Sequence, residues 1–157
     1  MTPHLTTRVP QVIDGLLSIL GSRDLIHNEN VQVLDGPALN LDMIQKDSIC
    51  VAPGTIDQPG VLVTYAEQTS FGRTAYVEQV EVTIALASQS GNVAMKPRRD
   101  RVTALLGELQ AGLTDNQVRV GAWDSITLGP EAVWHPVLSP QGATCAVGVT
   151  VVAKSII

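Results

Sequence analysis

The residues with the most obvious capacity for chemistry are basic. Lys96, Arg98, Arg99 and Arg101 place four of the chain's ten lysines and arginines within six positions. Such groups hold carboxylates or phosphates through charge-assisted hydrogen bonds. They fall at the predicted start of a helix, where exposed cations oppose the macrodipole by about 0.3–1 kcal/mol each. Asp100 offsets only part of that cost. One reading is a solvated or intramolecularly paired face. The other is a docking patch for an acidic surface on a neighbouring subunit, or for passing nucleic-acid phosphate. Arg73 is a further cation, at the end of a polar stretch from 57 to 73 that suits an extended loop or hairpin tip. Residues 88–96 form a second such stretch, and contacts between subunits would be made on segments of this kind.

Other chemistry finds little support. There is no Gly-rich phosphate loop, G-x-G-x-x-G, H-E-x-x-H, C-x-x-C or G-x-S-x-G motif. His4, His27 and His135 have no acidic or cysteine partner at ligand spacing, so no metal site is assigned. Cys50 and Cys145 are flanked by small and branched apolar residues and read as two buried thiols in a reducing compartment. Most serines and aspartates sit in turn signals such as Asp35-Gly36 and Asp115-Asn116, where bonds to the backbone account for them. No catalytic residue and no cofactor is therefore assigned. A small cytosolic enzyme or ligand-binding domain with a site assembled from distant positions is the competing class, and its candidates are Asp124, Trp134 and His135.

The elements that must carry these residues follow from periodicity. Thr7 can cap a helix with Pro10 in its first turn, and Val9, Val12, Ile13, Leu16, Leu17 and Leu20 make one apolar face, ending at Gly21. Short strands are expected over 31–34, 48–52 and 61–67, separated by Asp35-Gly36-Pro37, Pro53-Gly54 and Asp57-Gln58-Pro59-Gly60. The longest alternation runs over 75–88, with Val80, Val82, Ile84 and Leu86 on the buried face. A second helix begins near Pro97 with a stripe of Val102, Leu105, Leu106, Leu109 and Leu113. The C-terminal third reads as short strands over 117–120, 125–128 and 132–138, then a mostly buried strand over 143–153. The expected class is α+β: a mostly antiparallel sheet flanked by two helices, with protruding loops or a hairpin.

Composition sets the outer limits. A chain that is 45% hydrophobic and 16% charged folds, and 157 residues suit one domain spanning 1–157. The net charge of −5 opposes general nucleic-acid binding, because phosphate neutralisation needs a basic surface. No apolar run approaches a membrane span, and the N-terminus has no secretory h-region, so synthesis in the cytoplasm is expected.

Several segments in order resemble the tail terminator proteins of long-tailed bacteriophages. They are the opening amphipathic helix, Val31-Gln32-Val33-Leu34-Asp35-Gly36-Pro37, Ile49-Cys50-Val51-Ala52-Pro53-Gly54, and the long strand leading to Ser88-Gln89-Ser90-Gly91. The Arg-rich helix start and the closing 142–151 strand extend the similarity over nearly the whole chain. It is an ordered pattern without a diagnostic motif. The resemblance implies a six-fold ring at the head-proximal end of the virion's tail. That ring would bind the major tail tube protein on one side and the head-completion or stopper protein on the other, with double-stranded DNA passing through its channel. It carries no catalytic residues. Another head-to-tail connector component, such as a stopper or adaptor, or a tail tube subunit, fits the same pattern.

Overall fold

The computed structural model describes residues 7–36, 46–54, 59–70 and 73–157. Pro37, Asp57 and Gln58, which belong to two of the expected turns, lie outside them, as do Phe71 and Gly72 of the polar stretch from 57 to 73, and His4. The order of elements is α1 (Val9–Ser22), α2 (Asp24–Asn28), β1 (Gln32–Asp35), β2 (Asp47–Val51), β3 (Val61–Ser70), β4 (Arg73–Ser90), α3 (Lys96–Asp115), β5 (Ser125–Ser139) and β6 (Gly142–Ile156). The fold is α+β. Six strands form one sheet in the order β1-β2-β4-β6-β5, and β3 pairs with the first half of β4. Among the described strands only β1 and β2 run parallel to each other; the other pairings are antiparallel.

The alternation in β4 explains where the core lies. Val80, Val82, Ile84 and Leu86 are all at most 2% exposed. Their cross-strand partners on β6, Ala153, Val151, Val149 and Val147, share that face and are buried too. Against it pack α1, through Val12, Leu16, Ile19 and Leu20, and α3, through Val102, Leu105, Leu109 and Leu113. Each branched side chain fully buried in this way stabilises the fold by about 1.5–3 kcal/mol before the cost of ordering it. The opposite face carries small or polar residues such as Thr83, Ala85, Ala146, Gly148 and Thr150, which are half-buried.

Two helical glycines set how closely these layers approach. A Cβ on Gly15 would lie 2.8 Å from the Trp123 ring, and one on Gly112 would lie 2.7 Å from Ile19 Cγ2. Only a bare α-carbon lets α1 rest on Trp123 and α3 rest on α1 at these distances. Trp123 is fully buried, and its indole N–H donates to the Asn116 carbonyl at 2.9 Å. Arg23, just beyond α1, donates to Glu108 at 2.8 Å and Asp115 at 3.2 Å, tying the turn between α1 and α2 to α3.

The structure corrects the expected elements in four places. The residue capping α1 is Arg8 and not Thr7, whose hydroxyl accepts from the Val9 amide at 3.3 Å. A short helix, α2, follows α1 without a sequence signal of its own. Residues 117–120 form a loop with an isolated bridge from Arg119 to Trp123, not a strand. The strands expected over 125–128 and 132–138 are one, β5, because Gly129-Pro130 is accommodated as a register shift between Leu128 and Ala132. Such an irregularity is tolerated at a sheet edge, where β5 lies.

Candidate assembly surface

The basic run divides by direction. Arg98 and Arg101 sit three apart on α3, on the side that faces the sheet. Arg101 Nε donates to Asp47 Oδ2 at 2.9 Å, and its Nη1 forms an ion pair with Glu29. Burial alone would lower the Arg101 pKa, but the hydrogen bonds and charges of Asp47 and Glu29 outweigh it and raise the value. The Ser88 hydroxyl donates to Asp47 Oδ1 at 2.6 Å and accepts from Arg98 Nη1 at 2.9 Å. Arg98 also reaches the Gln89 carbonyl at 3.4 Å. These bonds fasten the first turns of α3 to β2 and β4 beside an open depression of about 550 Å³. Asp47 is the acidic end of β2, and Ser88 is its registered partner on β4.

The same bonds answer the electrostatic problem of cations at a helix N-terminus. Asp47 and Glu29, from outside the helix, supply the negative charge that its first turn lacks. Lys96 is paired four residues on with Asp100 at 2.6 Å, and both side chains are exposed, so this pair contributes little. The Arg99 side chain makes no ion pair among the described residues, and the residue is exposed. Its charge partly offsets the rise that burial imposes on the Cys145 thiol. Arg73 begins β4 opposite Ser70, at the tip of the β3–β4 hairpin, and its side chain lies outside the described residues. The structure therefore brings Arg98 and Arg101 together and leaves Lys96, Arg99 and Arg73 apart from them.

A second feature is an apolar edge. Residues 131–139 of β5 are exposed along their whole length, although β5 is a registered strand of the sheet. Val133, Trp134, Val137 and Leu138 are between 41% and 62% exposed. Val133 and Val137 lie on one face of the sheet, Trp134 and Leu138 on the other. On the other side of the sheet, the β3–β4 hairpin extends past the end of β6, which reaches β4 only as far as Val77. Leu62 and Tyr65 on β3 are also exposed. The Tyr65 hydroxyl is held by Glu78, its cross-strand partner, and this bond, with desolvation, raises its pKa. Glu78 is fully buried and also accepts the Arg8 amide at 2.8 Å, anchoring the start of α1.

Sequence reasoning did not single out this edge. A signal was present: 132–138 holds four large apolar residues and a proline, and proline is found on edge strands. The two tryptophans, indistinguishable by composition, separate into a core residue, Trp123, and a surface one, Trp134.

The scattered candidates for a catalytic site do not converge. Asp124 precedes β5, accepts the Ile156 amide at 2.8 Å and lies 4.0 Å from Arg8. His135 lies eleven residues further on, two of them taken up by the register shift after Leu128, a separation of roughly 30 Å at about 3.3 Å per residue. Trp134 points to the opposite face from His135. His27 is in α2, and no cluster of three metal-ligating side chains occurs among the described residues. Cys50 and Cys145 are free and buried; Cys50 pairs with Ala85 and Cys145 with Ser88, so their side chains point to opposite faces. Desolvation raises both thiol pKa values. No described helix is long and apolar enough to cross a membrane.

Fold and surface together define an α+β protein whose most distinctive feature is an exposed apolar strand edge. Comparison with protein-family models and with curated proteins gives no match.

Proposed function

We propose that this chain is a structural virion protein: a subunit of the ring that caps a phage tail tube and joins the tail to the head-completion or stopper complex. The ordered resemblance of its segments to tail terminators suggests the role. The observation that carries it furthest is the β5 edge, with four large apolar side chains exposed on a strand that the fold otherwise holds in place. Such a surface is expected of a subunit that buries it against another protein. On this reading the ring is six-fold, takes the major tail tube protein on one side and passes DNA through its channel. The protein does not act as an enzyme, and it resides at the head-proximal end of the tail after synthesis in the host cytoplasm.

Electron microscopy of particles assembled without this protein tests the proposal. A terminator predicts tails of uncontrolled length that fail to join heads. Heads that leak DNA beside normal tails would identify a stopper or adaptor instead, and absence of any tube would identify a tube subunit. Normal particles would refute all three.

A further inference from the structure

The two long strands at the borders of the sheet are chemically complementary. The Ala143 amide donates to Asn92 and the Ile157 amide to Tyr76, so odd-numbered amides of β6 face β4 and even-numbered ones face β5. With the observed register, the amides and carbonyls of Ala132, Trp134 and Leu138, and the carbonyl of Pro136, therefore point away from the sheet. On the other side, the Thr83 amide donates to Gly60, which directs the odd-numbered residues of β3 outward, from Val61 to Thr69. No other described strand pairs with either edge.

Exposed edges are normally blunted by charges, especially lysine, by proline or by bulges, or are covered. Neither β3 nor β5 contains a lysine or arginine within the strand, and Pro130, Glu131 and the register shift of β5 precede its exposed apolar run, within which only Pro136 is of that kind. We infer that β5 of one copy adds to β3 of a second copy, continuing the sheet from subunit to subunit. Strand direction supports a second copy as the occupant. β5 runs with β4 and against β3, so neighbours placed in the same sense meet with β5 and β3 antiparallel, as in most of the sheet itself. The contact is head-to-tail, the type that generates rings. The exposed Val133, Trp134, Val137 and Leu138 of β5 and the exposed Leu62 and Tyr65 of β3 would flank such a pairing on both faces of the continued sheet.

Pro136 marks the pairing. Its nitrogen stands at an outward position, so it leaves the β5–β6 ladder intact and deprives only a visiting strand of one donor. The inference rests on the self-assembling role proposed for the chain, and its test separates the two. Sedimentation velocity is run on the full chain, with melting curves to establish that each variant folds. Wild type associates as concentration rises. The double variant Val133→Lys/Val137→Lys, which charges the β5 edge, and Glu67→Pro, which removes an outward amide of β3, each weaken association at least tenfold. Mixed together, these two variants form a one-to-one dimer, because one intact contact remains. Pro136→Val tightens association about fivefold, the effect of one added hydrogen bond.

A wild-type chain still monomeric at about 1 mM overturns the inference, as does an unaffected Glu67→Pro, a mixture that stays monomeric, or a Pro136→Val that changes nothing. If association follows the expected pattern while particles lacking the protein have normal tails, the terminator reading fails and the strand pairing stands. If the chain stays monomeric while its absence gives overlong tails, the strand pairing fails and the terminator reading stands.

Discussion

Replacing Asp47 by alanine should cost about 2–3 kcal/mol of stability, a figure that follows from its contacts. Its carboxylate accepts from Ser88 Oγ at 2.6 Å and Arg101 Nε at 2.9 Å, and the side chain is only 8% exposed. Removing one partner of a fully buried ion pair costs about 3–5 kcal/mol, because the other charge is stranded. Here the stranded Arg101 is 21% exposed and keeps Glu29, itself half in solvent, so the penalty falls below that range. The two lost hydrogen bonds, one of them between charges, set the lower bound near 2 kcal/mol. Urea unfolding followed by circular dichroism reads the change. With a slope of roughly 2 kcal/mol per molar for a chain of this size, the midpoint should fall by about 1–1.5 M. Asp100→Ala is the control, since its partner Lys96 is exposed and the pair is worth about 0.3–0.5 kcal/mol. If Asp47→Ala shifts the midpoint no further than Asp100→Ala, the network is not holding α3 to the sheet, and the account of the basic run is wrong.

Charge reversal should separate neighbours on α3: Arg98→Glu breaks the bonds to Ser88 and Gln89 beside the acidic Asp47 and lowers thermal stability by several degrees, whereas Arg99→Glu, exposed in the first turn of the helix, does not lower the melting temperature and raises it slightly. If the proposed ring forms, its loss in Arg99→Glu identifies a docking residue, and unaffected assembly removes Arg99 from the interface. Gly15→Ala should destabilise by about 1–3 kcal/mol through overpacking, and Trp123→Phe in the same chain should recover part of the loss, as a double-mutant cycle in urea would reveal. Both thiols have folded-state pKa values raised by burial, so the folded chain retains their protons longer than the unfolded chain does. Their contribution to stability is complete below the ordinary thiol pKa and is lost as pH rises through the folded values. The alkaline limb of a stability–pH profile should flatten in Cys50→Ala/Cys145→Ala, and an unchanged limb would contradict the assignment.

Elements with sustained periodicity were legible in the sequence because burial enforces the period. Val80 to Leu86 alternate since one face of β4 meets two helices, and Val102 to Leu113 keep helical spacing since α3 lies on that face. Elements governed by local geometry or tertiary context were not legible. Gly129-Pro130 has the chemistry of a turn, yet an edge strand absorbs it without reversing. α2 spans five residues, too few to display a pattern. The basic run was legible as a cluster, but its division was not, because that depends on the acidic groups that β2 and α2 bring opposite it. Part of the signal was available: Arg98, Arg101 and Leu105 fall on one helical stripe, and Arg99 does not. The β5 edge required the sheet order, since only adjacency distinguishes an exposed Trp134 from a buried Trp123.

On the proposed reading, the placement of charge bears on how such a ring would let DNA pass. Arg8, Arg23, Lys96 and Arg101 are engaged with carboxylates of the same chain, and Arg98 is bonded to Ser88 and Gln89. Half of the ten cations are thus committed within the subunit, against fifteen acidic residues in all. A protein making 6–10 phosphate contacts holds DNA strongly at low salt and loses about 10³–10⁵ in affinity between 50 and 200 mM. A single subunit falls short of that number with its five remaining cations, although six copies in a ring would not. Gel-shift assays with duplex DNA should therefore detect no complex at 50 mM salt at about 10 µM protein, weaker than ordinary non-specific binding. A complex with a steep salt dependence would show that cations paired in the isolated subunit turn outward on assembly. That outcome would move the basic run from the subunit's own packing into the channel of the proposed ring.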